Sequence, residues 1–211
     1  MDKIIQNEDK YVVYDNVLSQ EEFKNTWEWF QNLEYSSINS TGFMKVWKLT
    51  DGNPMGSKEH NAKNYPFNNP LDKIYEKINE INSNHPEIFG KWKEVFLRAY
   101  IYGKGTKINW HNDTGYTAAV IFYTHPYWSA GWGGELMLAE TPNIEYKKEN
   151  VGGPLETWWT DKIMNYVACG YYIQPKPNRI VATRGGIWHQ INRVDDDAGC
   201  NTRCSIVAFF K

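Results

Sequence analysis

Apolar positions follow two regimes along the chain. Up to about residue 92 they recur at helical spacing; beyond it they gather in short runs rich in Val, Ile, Phe, Tyr and Thr, divided by Gly and Asn. Tyr11-Val12-Val13-Tyr14 opens the first regime and reads as a strand. Ser19-Gln20-Glu21-Glu22 then carries the capping-box pattern, in which the Ser hydroxyl and the Glu carboxylate each satisfy a backbone N–H at the helix start. Phe23, Trp27 and Phe30 follow on one face, so the pattern predicts a helix from about residue 20 to 33. The stretch from Ser36 to Asn69 is polar and turn-rich, with a strand predicted at Phe43–Leu49. Asn69-Pro70 marks a second helix start; Ile74, Ile78 and Ile81 give it a buried face, and Asn82-Ser83-Asn84-His85-Pro86 ends it.

The second regime predicts strands at Glu94–Tyr102, Thr117–Tyr123, Glu135–Ala139, Asn165–Ile173, Arg179–Ala182 and Arg203–Phe210. Helices followed by antiparallel strands point to a sandwich or barrel with helices packed outside. Thr141 to Pro177 interrupts the pattern. Lys147-Lys148-Glu149-Asn150 and Gly152-Gly153-Pro154 read as loop, and Trp158-Trp159 sits between them and the next strand. This stretch fits a lid or binding loop, or equally an insertion folded back on the sheet by its own Trp residues.

A length of 211 residues suits a single domain, with 1–92 as a supporting region and 93–211 as the β-core. Hydrophobic residues at 41% exclude a disordered chain. A net charge of -2, with no long run of one sign, gives no strong nucleic-acid signal. The start, Met1-Asp2-Lys3-Ile4-Ile5-Gln6, has neither a secretory pattern nor a membrane span. Cys169, Cys200 and Cys204 are too few and too odd for a disulfide framework and fit a reducing cytoplasm. The abundance of Asn, Lys, Ile and Tyr suits an AT-rich genome, bacterial or viral.

Chemistry concentrates in Asn109-Trp110-His111-Asn112-Asp113-Thr114. Side chains two apart on a strand share a face, so His111 and Asp113 would point together as a two-point metal site. Among the other histidines, His60 and His85 lie in the polar half and His125 precedes a proline. His189, after Gly185-Gly186-Ile187-Trp188, is the best third ligand. Two His and one carboxylate form the facial triad of non-haem iron oxygenases. The same set also suits zinc.

The ordered pieces carry a resemblance. They are Tyr102-Gly103-Lys104-Gly105, His111-Asn112-Asp113, Ala119-Val120-Ile121-Phe122-Tyr123, Trp128, Gly133-Gly134-Glu135-Leu136, His189-Gln190-Ile191 and Arg203-Cys204-Ser205. From about residue 94 to the end, the chain resembles the prolyl 4-hydroxylase-like branch of the Fe(II)- and 2-oxoglutarate-dependent oxygenases. The resemblance implies an α+β fold that is mostly β: a double-stranded β-helix, or jelly-roll, cupin-like core with the amino-terminal helices packed on one sheet. It implies that His111, Asp113 and His189 hold Fe(II). It implies that Arg203 pairs with the distal carboxylate of 2-oxoglutarate, and that Tyr102 and Tyr123 line the co-substrate pocket. A guanidinium suits that role, because it grips a carboxylate through two parallel hydrogen bonds.

Two features depart from the branch: the fourteen-residue step from His189 to Arg203, which contains Asp195-Asp196-Asp197 and Gly199, and the 141–177 insertion. The first leaves Lys176 and Arg179 as alternative carboxylate anchors. The expected reaction is hydroxylation of a C–H bond with release of succinate and CO2. Ascorbate is an expected reductant, and Asp113 argues against halogenation. The target is a peptide, protein or small molecule, with prolyl residues as the branch's best-known substrate. A monomer or weak dimer is expected. The rival readings are a zinc hydrolase or isomerase on a cupin-like barrel, which has no need of Arg203, and a non-catalytic β-cup that binds through its Trp and Tyr residues.

Overall fold

The computed structural model describes residues 1–7, 9–38, 50–113, 115–140 and 169–211. The predicted strand Phe43–Leu49, the Lys147–Asn150 turn and Trp158-Trp159 lie outside the described residues. In chain order the elements begin with β1 (Asp2–Asn7), β2 (Tyr11–Asp15), α1 (Gln20–Gln31), β3 (Tyr35–Ser37), β4 (Thr50–Asp51), β5 (Met55–Ser57) and β6 (His60–Asn61). The helices α2 (Leu71–Asn84) and α3 (Pro86–Phe89) follow. Then come β7 (Val95–Tyr102), β8 (Lys107–His111), β9 (Ala118–Tyr123), β10 (Leu136–Ala139) and β11 (Gly170–Ile173). The last three are β12 (Ile180–Arg184), β13 (His189–Ile191) and β14 (Arg203–Phe210).

Local chemistry accounts for both long helices. Ser19 Oγ accepts from the Glu22 N–H at 3.2 Å while the Ser19 N–H donates to Glu22 Oε2 at 2.9 Å, the reciprocal box expected from the sequence. Asn69 Oδ1 accepts from the Leu71 N–H at 2.9 Å, and Ile74, Ile78 and Ile81 are buried as their spacing predicts. A short helix at Pro86–Phe89 follows directly where the sequence suggested only a stop.

The described strands form two sheets. The larger has nine strands in the order β1-β2-β12-β9-β14-β7-β5-β3, with β6 paired to β7; the smaller has five, in the order β11-β10-β13-β8-β4. All of the recorded strand pairs are antiparallel. Side chains alternate across the larger sheet, so each strand serves two environments. Leu97, Val120, Phe122, Ile180, Ile206 and Ala208 pack with Phe30 of α1 and Ile74 and Ile78 of α2 in one apolar cluster. The opposite face contributes Val13, Ile121, Tyr123 and Val181, which meet Leu136, Leu138 and Ile173 of the smaller sheet. The two sheets therefore face each other and leave a cup between them.

Lys176 and Arg179 do not face this cup. Arg179 donates to Asp15 through Nε at 2.6 Å and Nη2 at 3.1 Å, and Lys176 donates to Asp15 Oδ2 at 2.6 Å. The pair ties the end of β2 to the turn before β12. Burial alone would raise the Asp15 pKa, but the two cations hold it below the ordinary carboxylate value. A depressed folded pKa stabilises the protein above the ordinary carboxylate range, and that contribution is lost as pH falls through the folded value. Asp15→Ala is expected to cost about 3 kcal/mol at pH 7 by urea denaturation, because it leaves Arg179 unpaired in a half-buried place. The gap from the parent should narrow as the pH falls below the ordinary carboxylate range.

Candidate metal centre

Pairing between β8 and β13 brings the two histidines together: His111 and His189 are direct Cα partners across the ladder. Their ring centroids lie 4.2 Å apart. The strand β8 ends at His111, so Asp113 stands two residues beyond it, in the following turn, and still reaches the same spot. Its Oδ1 lies 3.8 Å from His111 Nε2, and its Oδ2 lies 3.5 Å from His189 Nε2. One donor atom from each of the three residues falls within 4.8 Å of the others, a spacing that can hold one metal ion.

Both imidazoles are oriented by their own backbone. His111 Nδ1 lies 2.7 Å from the Asn109 carbonyl and His189 Nδ1 lies 2.8 Å from the Ile187 carbonyl. An N–H donated from Nδ1 leaves Nε2 with its lone pair facing the centre, the tautomer a metal needs. Burial first, and then the neighbouring His189, push His111 down to about 4, with Asp113 pulling the other way. The ring is therefore neutral at pH 7 and ready to donate.

The triad opens on a cavity of about 360 Å³ whose walls include Tyr102, Ile121, Leu136, Ile191, Arg203 and Ser205. Arg203 is fully buried. Its Nε donates to the Gly134 carbonyl at 2.7 Å and its Nη2 to the Tyr123 hydroxyl at 3.3 Å. Its guanidinium carbon lies 5.2 Å from the Tyr102 ring centre and 4.9 Å from that of Tyr123. Among the described residues Nη1 has no partner, and neither has the buried Ser205 hydroxyl two residues along the same face. An unpaired charged donor in the interior is costly unless a ligand completes it. A dicarboxylate with one end at the metal fits this donor set.

The approach of Arg203 depends on Gly134, where a Cβ would fall 3.0 Å from Arg203 Cδ. Gly133 and Gly134 both take positive φ, at 67° and 74°, a region that glycine enters without steric cost. The long step from His189 to Arg203 holds a short 3-10 turn at Asp196–Ala198 and buries Val194 and Ala198 beside Tyr102 and Ile108. His125 stays out of the cavity. It is buried, with Nε2 2.6 Å from the Pro175 carbonyl and Nδ1 3.1 Å from the Cys204 carbonyl. Sequence reasoning passed over Ser205, Arg98 and Tyr100 as cavity residues; the two-residue period from Arg203 and from Tyr102 was the available signal.

The family model of the 2OG-Fe(II) oxygenase superfamily matches residues 97–211. No curated protein matches the chain. Among solved structures, a prolyl-4-hydroxylase of Pseudomonas putida is similar at a TM-score of 0.63 and 10% identity, over 96% of this chain and 92% of that one. A Trichoplax adhaerens prolyl hydroxylase in complex with a hypoxia inducible factor oxygen degradation domain peptide fragment gives 0.61 and 12%, over 97% and 84%. The non-heme alpha ketoglutarate dependent epimerase SnoN from nogalamycin biosynthesis gives 0.61 and 9%, over 96% and 77%. The shared fold is the double-stranded β-helix expected from the sequence.

Tyr123→Phe removes the acceptor of Arg203 Nη2 and should lower stability by about 1–2 kcal/mol in urea denaturation. Tyr102→Phe, which keeps the ring against the guanidinium, should cost less than half of that.

Proposed function

This chain belongs to the 2OG-Fe(II) oxygenase superfamily, and from that premise we propose that it hydroxylates an aliphatic C–H bond, with a prolyl residue of a peptide as the first substrate to test. In this reading His111 and His189 hold Fe(II) through Nε2 and Asp113 holds it through a carboxylate oxygen. A bound Fe(II) would supply Lewis-acid and redox chemistry at this spot. Arg203 takes the distal carboxylate of 2-oxoglutarate through Nη1, and the Ser205 hydroxyl completes the grip. Tyr123 fixes the guanidinium rather than the co-substrate itself, and Tyr102 closes the pocket beside it. Bound Fe(II) and 2-oxoglutarate would supply oxidative decarboxylation, giving succinate and CO2 and placing one oxygen atom of O2 on the substrate. Ile121, Leu136 and Ile191 form the apolar wall that keeps water from the reacting atoms.

The observation that carries this reading is a fully buried arginine, with one nitrogen unpaired, in the same cavity as the triad. A zinc hydrolase has no use for that charge. The prolyl preference rests on the neighbours named as prolyl hydroxylases. Ascorbate enters as a reductant supplied with the reaction, a monomer or weak dimer is the proposed state, and a cytoplasmic location fits the free thiols of Cys169, Cys200 and Cys204.

The test is succinate release by iron-loaded protein with 2-oxoglutarate, ascorbate and proline-containing peptides. Asp113→Ala is expected to abolish release and to lower the affinity for Mn(II) at least tenfold by calorimetry. Arg203→Met should raise KM for 2-oxoglutarate by about tenfold or more, the worth of a charge-assisted hydrogen bond. Succinate release that survives Asp113→Ala would overturn the assignment.

A further inference from the structure

The cup contains a second arginine besides Arg203. Arg98 lies on β7, on the same face as Tyr100 and Tyr102, and all three line the cavity. In the ladder Arg98 stands opposite Val207 and Tyr102 opposite Arg203. The two arginine positions are thus four residues apart along the strands, or about 13 Å. With the metal and Arg203 holding the two ends of 2-oxoglutarate, Arg98 faces the remainder of the cavity.

Its guanidinium is built into place. Nε donates to the Ser57 carbonyl at 2.7 Å, and the Tyr100 ring centre lies 5.5 Å from Cζ. On the other side the group lies against Gly56, where a Cβ would come within 2.7 Å of Nε, 2.8 Å of Nη2 and 2.9 Å of Cζ. Any side chain at residue 56 would displace it. Arg98 is only half-buried, and among the described residues no carboxylate lies within ion-pair distance of it. Glu59 lines the same end of the cavity but is exposed and forms no ion pair with Arg98. The Tyr100 hydroxyl, pushed up to about 12 chiefly by burial, stays neutral; its oxygen accepts from Arg98, and its O–H is left to donate. A bracing role between β7 and β5 needs only Nε. The terminal nitrogens form a planar fork of donors, and the partner that matches such a fork is a carboxylate.

We propose that Arg98 anchors a carboxylate of the substrate, and so sets which C–H bond is presented to the metal centre. This rests on the oxygenase reading above and narrows its substrate to acids: a free amino acid, or a peptide with an acidic residue beside the target. Tyr100 supplies a second donor to the same group.

The experiment uses the full chain loaded with Mn(II) and N-oxalylglycine, with binding read by calorimetry, and the iron enzyme with 2-oxoglutarate, with succinate read. The probes are acid and amide pairs. One arm holds free amino acids, L-proline among them, with their primary amides. The other holds proline peptides with Asp or Glu next to proline and their Asn or Gln counterparts. Carboxylates should bind and turn over at least about tenfold better than their amides, since a charge-assisted pair is worth that much. The arm that responds names the source. Arg98→Gln should collapse the acid-to-amide ratio to near one, chiefly through KM, and Arg98→Lys should restore part of it; a thermal melt checks that both variants fold. An amide that equals its acid, a ratio that survives Arg98→Gln, or no carboxylate binder in either arm overturns the proposal. If Mn(II) and N-oxalylglycine themselves fail to bind the parent protein, the oxygenase reading falls instead.

Discussion

The pairing of β13 with β8 is the constraint on which the site depends. Backbone register, not a side-chain contact, places His189 across from His111. Each ring is then fixed by a carbonyl two residues before it in the chain. A one-residue slip in that ladder would turn an imidazole to the other face of the sheet. The ladder is held in register by the apolar residues it shares with the rest of the smaller sheet, including Ile108 and Ile191, which pack beside Tyr102.

Opposite this ladder, the larger sheet solves a different problem, which is how to keep a cation in the interior. Arg203 begins β14 and is enclosed completely. Two of its nitrogens are satisfied by the Gly134 carbonyl and the Tyr123 hydroxyl, and two aromatic rings border the guanidinium. The remaining nitrogen has no partner among the described residues. A fully paired guanidinium would be more stable and would have nothing left with which to hold a ligand. Partial satisfaction is the compromise between folding and binding.

Much of this was legible in the residues. The capping box at Ser19, the apolar stripe of Ile74, Ile78 and Ile81, and the strand runs from residue 94 onward are local signals, and each produced its element, although of the predicted Asn165–Ile173 only Gly170–Ile173 is a described strand. The His111 and Asp113 pair was visible as well, although the strand reasoning that joined them was only half right, since β8 stops at His111. Other features left no local trace. β1 (Asp2–Asn7) is an exposed edge strand whose polar residues give no alternation. The partnership of Asp15 with Arg179 spans 164 positions, so nothing near Arg179 announced that it was already engaged. Ser205 and Arg98 became cavity residues only once the sheets faced each other.

The strand β14 has a consequence of its own. Odd-numbered positions from Arg203 to Phe209 line the cavity, while Cys204, Ile206, Ala208 and Phe210 sit in the helix-side core. Reagent-handling atoms and load-carrying atoms thus alternate along one ribbon, each separated from the next by a single peptide unit. Evolution cannot tune one set in isolation. A methyl group gained or lost at residue 206 shifts the backbone from which both Arg203 and Ser205 project, so drift in the packing of this protein is also drift in its chemistry.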